Sequence, residues 1–106
     1  MELKYLEPLV LLKIISKYEP IKGIATLHRL IHSLIKKGLK LRYTFINYSF
    51  GPYSKDLDED LQLLVKCGLV VIENDNGNTL IKLSSKGVKI IKSLLSIKSR
   101  DLSIES

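Results

Sequence analysis

His28 and His32 lie four residues apart in His-Arg-Leu-Ile-His, a spacing that puts both imidazoles on one side of a helix. Zinc proteases use that spacing, with a glutamate beside the first histidine as general base. Arg29 occupies that place, and no third ligand is evident. The plainer reading is two partly exposed histidines flanking a core. Cys67 is the only cysteine. A lone cysteine acts as a nucleophile only beside a base and in an electropositive pocket. In Lys-Cys-Gly-Leu it reads as a small filler at a helix end, and it excludes an intrachain disulfide. Asp56, Asp58, Glu59 and Asp60 suggest a carboxylate metal site, but acids also suit the first turn of a helix, where the backbone is partially positive. There is no phosphate-binding glycine loop and no Ser/His/Asp set. The expectation is a non-enzyme with no metal and no cofactor.

The remaining chemistry is charge. The formal net charge is +6 over 106 residues. Residues 21–55 carry Lys22, Arg29, Lys36, Lys37, Lys40, Arg42 and Lys55 with no Asp or Glu. Residues 76–100 carry Lys82, Lys86, Lys89, Lys92, Lys98 and Arg100, again with no acid. Such distributions favour polyanionic partners, and nucleic acid is the commonest. The plainer reading is a solvated lysine-rich surface.

The elements that position these groups follow from pattern. Glu7-Pro8 opens a first helix, apolar nearly all round and therefore central, which ends at Glu19-Pro20. A second helix starts between Gly23 and Thr26, buries Ile24, Leu27, Leu30, Ile31, Leu34 and Ile35, and stops at Gly38. Leu39 to Phe50 is β-branched and aromatic and reads as one extended strand. Leu41, Tyr43 and Phe45 share one face; Arg42, Thr44, Ile46 and Tyr48 share the other. Gly51-Pro52 breaks it, and Ser54 caps a third helix with a stripe of Leu57, Leu61, Leu64 and Val65, stopped by Gly68. Strands over 69–73 and 79–83 flank the turn 74–78. Ser84 or Ser85 caps a last helix. A single domain over 1–98, with a frayed tail at 99–106, accounts for the length. No apolar run approaches the roughly 20 residues of a membrane span. The N-terminus lacks the pattern of a secretory signal, so the expected compartment is the cytoplasm.

Helix, helix, strand, helix, strand, wing, strand, helix is the order of a winged helix-turn-helix, an α+β fold that is mostly α. Within it, Tyr48, Phe50-Gly-Pro-Tyr-Ser54, Leu57, Leu61, Leu64 and Gly68-Leu-Val70 resemble the phage-associated YwgA-type proteins and the related Panacea antitoxin domains. The resemblance covers roughly residues 8–95. Where that family usually has a Lys-Leu-Gln-Lys-type stretch, this chain has Leu27-His-Arg29. Membership would imply transcriptional regulation, antitoxin action or an accessory role.

Two functional expectations follow. One is a transcriptional regulator that binds double-stranded DNA mainly through phosphates. Its contact residues would be Arg29, Lys36, Lys37, Lys40, Arg42, Lys55, Gln62, Asn76, Asn78, Lys82 and Lys86. The other is a non-catalytic interaction domain that docks a protein through the acidic third helix, as an antitoxin or as the accessory subunit of a nucleic-acid-processing complex. The acids weigh against the first reading, because Asp58 and Glu59 would face phosphates. Tyr43, Phe45, Tyr48, Phe50 and Tyr53 are either core or stacking surfaces for single strands. Ile90, Ile91, Leu94, Leu95 and Ile97 occupy more of the last helix than a one-sided surface helix needs, which predicts a homodimer or partner interface there.

Overall fold

A computed structural model describes the backbone of residues 2–94 and the side chains from Glu7 onward. The elements run α1 (Glu2–Tyr18), β1 (Ile21–Lys22), α2 (Ile24–Lys36), β2 (Ile46–Tyr48), β3 (Gly51–Tyr53), α3 (Lys55–Lys66), β4 (Val70–Asp75) and β5 (Asn78–Leu83). A further helix, α4, follows, with described residues 85–94. The fold is α+β, with an antiparallel sheet of order β1-β5-β4 and a separate β2-β3 hairpin.

α1 is the central element, as its composition requires: Leu11, Leu12 and Ile15 are fully buried. It begins well before Glu7, so Pro8 lies inside it rather than at its opening. Proline forgoes one hydrogen bond to the carbonyl four residues back, and the helix runs through that loss. The end of α1 is tied to the sheet, where the Leu83 N–H donates to Glu19 Oε1 at 2.9 Å. β1 has only two residues, too short to carry an alternating pattern in sequence, yet it pairs Ile21 with Ile81 and Lys22 with Leu80.

α2 buries Leu27, His28 and Ile31. It ends at Gly38, whose φ of 113° is left-handed. The Leu39 N–H then reaches back to the Leu34 carbonyl at 2.9 Å, which satisfies a terminal acceptor. α3 repeats the device: Gly68 has φ 76°, and the Leu69 N–H donates to the Leu64 carbonyl at 2.9 Å. Ser54 caps the start of α3, its Oγ accepting from the Leu57 N–H at 3.2 Å.

The segment 39–50 is not one strand. Residues 39–45 are irregular, although the alternation holds, with Leu41 and Tyr43 buried and Arg42 and Thr44 exposed. Only Ile46–Tyr48 enters a ladder, and Gly51-Pro52-Tyr53, expected to break the strand, is its partner. Pro52 is tolerated because it sits opposite Asn47, the pair that a two-residue turn leaves without ladder hydrogen bonds.

The β4–β5 hairpin is also tighter than expected. The strands pair as far as Asp75 and Asn78, and only Asn76 (φ 52°) and Gly77 (φ 84°) turn. Two left-handed residues make a turn whose twist matches the strands, so pairing continues to its edge.

Ser84 caps α4 by accepting from the Gly87 N–H at 3.0 Å, while its own hydroxyl donates to the Gly68 carbonyl. Gly87 allows this junction: a Cβ there would lie 2.1 Å from the Leu69 carbonyl oxygen. Ile91 belongs to the core, with Ile90 and Leu94 packed against it. Of the expected dimer face, Ile91 is thus buried in the chain's own interior, while Ile90 and Leu94 keep part of their surface exposed. Leu95, Ile97 and the tail lie outside the described residues.

Candidate nucleic-acid interface

The two acid-free stretches form different surfaces. Lys36 and Lys37 are exposed at the end of α2, where cations also suit the helix's negative pole. Lys40 and Arg42 follow on the exposed side of the irregular segment. That segment is fastened to α1 by the Arg42 N–H, which donates to Glu7 Oε2 at 2.8 Å. Lys40 borders an open cavity of about 630 Å³ between α1 and the end of α2, floored by Val10, Ile14, Leu34 and Leu39. Lys13 and Lys17 of α1 border it too. These two were missed in sequence. Their spacing of four placed them on one helix face, but nothing in sequence brought that face to Lys40.

Lys86, Lys89 and Lys92 are exposed on α4. Lys86 is partly occupied, because its Nζ donates to the Cys67 carbonyl at 3.0 Å and closes the end of α3. Lys82 is paired with Glu73 across the β4–β5 ladder at 3.1 Å, with both side chains roughly half exposed. In that setting an ion pair contributes little stability, but the neighbouring carboxylate offsets part of the charge Lys82 offers a phosphate. Asn76 and Asn78 stand at the tip beside Asp75. The tip carries acid rather than base.

α3 exposes Lys55, Glu59, Gln62 and Lys66, with Asp58 half-buried beside them. Leu63, which lies outside the expected buried stripe, is also 47% exposed. Asp60 turns inward, its Oδ2 accepting from the Tyr43 hydroxyl at 2.7 Å. Burial raises the Asp60 carboxyl, against the lowering effect of that hydrogen bond. Burial, then the Asp60 contact, raises the Tyr43 phenol well above its ordinary range.

The histidines part company. His28 is buried, not partly exposed, with only 1% of its surface accessible. Its Nδ1 accepts from the Ser54 N–H at 3.0 Å. The proton therefore belongs on Nε2, which is buried and has no partner among the described residues. Its ring stacks on Tyr53 at 4.5 Å between centroids and 19° between planes. Burial lowers the His28 pKa, partly opposed by Asp58. His32 instead packs on Phe45 at 4.9 Å. No group of three or more His, Cys, Asp or Glu among the described residues is arranged to hold a metal ion.

The expected aromatic strand also divides. Tyr43 and Phe45 join the core. Tyr48 and Phe50 lie outside it, 49% and 55% exposed. Arg29 lies against the same hairpin, since a Cβ on Gly51 would meet its Cδ at 3.7 Å. Its Nη2 donates to Thr26 Oγ1 at 3.2 Å.

No described helix is long and apolar enough to cross a membrane. No protein-family model matches the chain, and neither a curated protein nor a solved structure does.

Proposed function

We propose that the chain is a winged helix-turn-helix protein that binds double-stranded DNA, mainly through phosphates, in a regulatory role. The fold reading is supported by the sequence of elements: α2 and α3 stand before a β4–β5 hairpin that joins β1 in one sheet. β4–β5 would then be the wing. The observation that carries the function is the cluster Lys36, Lys37, Lys40 and Arg42, all exposed; its lysines form no ion pair among the described residues. A protein that neutralises phosphates with such groups gains affinity by releasing counterions and needs no base contact. Because α3 and the wing carry Asp58, Glu59, Glu73 and Asp75, most of the attraction falls to the end of α2 and to α4.

The test is charge reversal, read by fluorescence anisotropy of a random-sequence duplex at low salt. Lys36→Glu with Lys37→Glu should weaken binding by at least about tenfold, since two attractions become repulsions. Asp58→Lys with Glu59→Lys should strengthen it several-fold as α3 meets the backbone. Unchanged affinity in the lysine variant would remove the assignment of that surface.

A second reading is favoured by Leu63, whose exposure beside Asp58 and Glu59 suits a protein better than a phosphate backbone. In it the domain is a non-catalytic, antitoxin-like or accessory subunit that docks its partner on α3.

A further inference from the structure

The open cavity between α1 and the end of α2 has an apolar floor that phosphate binding leaves unused. That floor is Val10, Ile14, Leu34 and Leu39, and the rim includes Lys17 and Lys40. α1 supplies its share at helical spacing, with Val10, Ile14 and Lys17 on one stripe, apolar first and cationic at the end. The end of α2 supplies the opposite wall. Gly38 turns left-handed and the Leu39 N–H closes on the Leu34 carbonyl at 2.9 Å, which fixes the backbone of both leucines at the cavity. Ile14 is 8% exposed and the other three floor residues are half-buried, so apolar surface stays open to a ligand. The volume of about 630 Å³ lies within the range of small-molecule sites, roughly 300–1,000 Å³.

Charge selects the occupant. No Asp or Glu lines the cavity. The two acids of α1 and its end that flank the lining residues in sequence are engaged by backbone donors: Glu7 accepts from the Arg42 N–H and Glu19 from the Leu83 N–H. Lys17 and Lys40 form no ion pair among the described residues. Lys17 Nζ stands 5.8 Å from the centre of the Tyr18 ring, a contact that leaves its charge intact. Lys13, also at the rim, has an interaction of its own, and the argument for an anion does not need it. A cationic ligand would meet like charge, and a bare phosphate would leave the floor uncovered. A docked helix needs apolar anchors over several turns, whereas this floor is four aliphatic side chains. The complement is a single small molecule with an anionic head and an apolar chain.

We propose that the cavity binds a free carboxylate of fatty-acid type, its head at the lysine rim and its chain on Val10, Ile14, Leu34 and Leu39. Lys40 borders both this cavity and the lysine surface, but the proposal does not rest on DNA binding.

The test follows methyl and amide NMR signals of the full chain, with no DNA present. Hexanoate, octanoate and decanoate are added below their micelle-forming concentrations. The expected result is saturable shifts centred on Val10, Ile14, Leu34 and Leu39, with affinity rising about two- to fourfold per methylene. Octylammonium, of equal chain length, should bind about tenfold more weakly than octanoate, since attraction becomes repulsion. Lys17→Gln with Lys40→Gln should weaken octanoate several-fold and leave octanol unchanged. Val10→Trp, which fills the cavity, should abolish binding of all three carboxylates. Thermal unfolding checks that each variant remains folded, and the lysine variant, altered only at exposed positions, keeps the test decisive if Val10→Trp does not fold. No saturable shift at the cavity with any carboxylate would overturn the site. Equal affinity for octanoate and octylammonium, or unchanged octanoate affinity in the lysine variant, would overturn the anionic head. Binding to anionic vesicles without a response to free decanoate would overturn the proposal as well. So would occupation of the cavity by a second copy or by the chain's own residues that decanoate does not displace.

Discussion

The chain contains two β-hairpins closed by two-residue turns, and different forces hold them. β4–β5 turns at Asn76-Gly77, both left-handed, pairs over its whole length and is one side of a three-stranded sheet. Its conformation is encoded locally. β2–β3 turns at Ser49-Phe50, pairs only three residues a side and joins no larger sheet. An isolated hairpin of that size is marginal in water. It is held from beneath, by His28 stacked on Tyr53 and bonded to the Ser54 N–H. Their surfaces differ accordingly. The first shows water polar groups and an ion pair; the second shows it apolar rings. A hairpin whose turn is set by its own residues can show polar groups to water at its tip, whereas one fixed to the interior through a ring can display further rings without collapsing onto them.

The largest expected effect separates the two anchors. His28→Ala removes a fully packed ring and leaves the buried Ser54 N–H unpaired, so it should cost about 2–4 kcal/mol. Hydrogen exchange should show amides of 46–53 losing protection before those of 70–83. If both hairpins loosen together, the anchor is not local to β2–β3.

Gly77→Ala forces an alanine to φ 84° and should cost about 1–2 kcal/mol. Chemical denaturation measures the loss, and NMR shifts should locate the change in β4–β5.

Acid should act on the β2–β3 hairpin through His28. The folded state depresses the His28 pKa, so the unfolded chain takes up the proton more readily. This contribution to stability is complete above the ordinary value of 6.5 and is lost as pH falls below it toward the lowered folded value. The melting temperature should drop over that range in the natural chain, and the drop should be smaller in His28→Phe, which keeps His32. Equal slopes would mean that His28 is not the titrating group.

The smallest effect tests whether the exposed rings are structural. Tyr48→Ala with Phe50→Ala should change stability by no more than about 0.5 kcal/mol, the usual range for surface positions. A larger loss would mean that the outer rings support the hairpin rather than being supported by it.

What was legible in sequence was mostly local. Gly38 and Gly68 stop helices, Ser54 caps one, and the alternation over Leu41–Phe45 reports which side faces inward. Each depends on a residue and its near neighbours. Gly51-Pro52 misled because a breaker signature also suits the non-bonded pair of a short hairpin. Gly87 looked like an ordinary helix residue, since its need arises from the Leu69 carbonyl across the fold. His28 could not be told from His32, because Tyr53 and Ser54 reach it only through tertiary packing. In the candidate interface, exposure of Lys36, Lys37, Lys40 and Arg42 followed from the charge run. The partners of Lys82 and Lys86 did not, because they depend on strand register and on the meeting of α3 with α4.

The most direct test of DNA binding is the salt dependence of affinity for a random-sequence duplex. With four phosphates met by Lys36, Lys37, Lys40 and Arg42, the plot of log K against log salt should fall with a slope of about −3.6, at about −0.9 per phosphate, and more steeply by the same step for each phosphate the α4 lysines add. That is roughly a hundredfold loss between about 50 and 200 mM salt. No binding at low salt with micromolar protein, or binding that is insensitive to salt, would contradict the account.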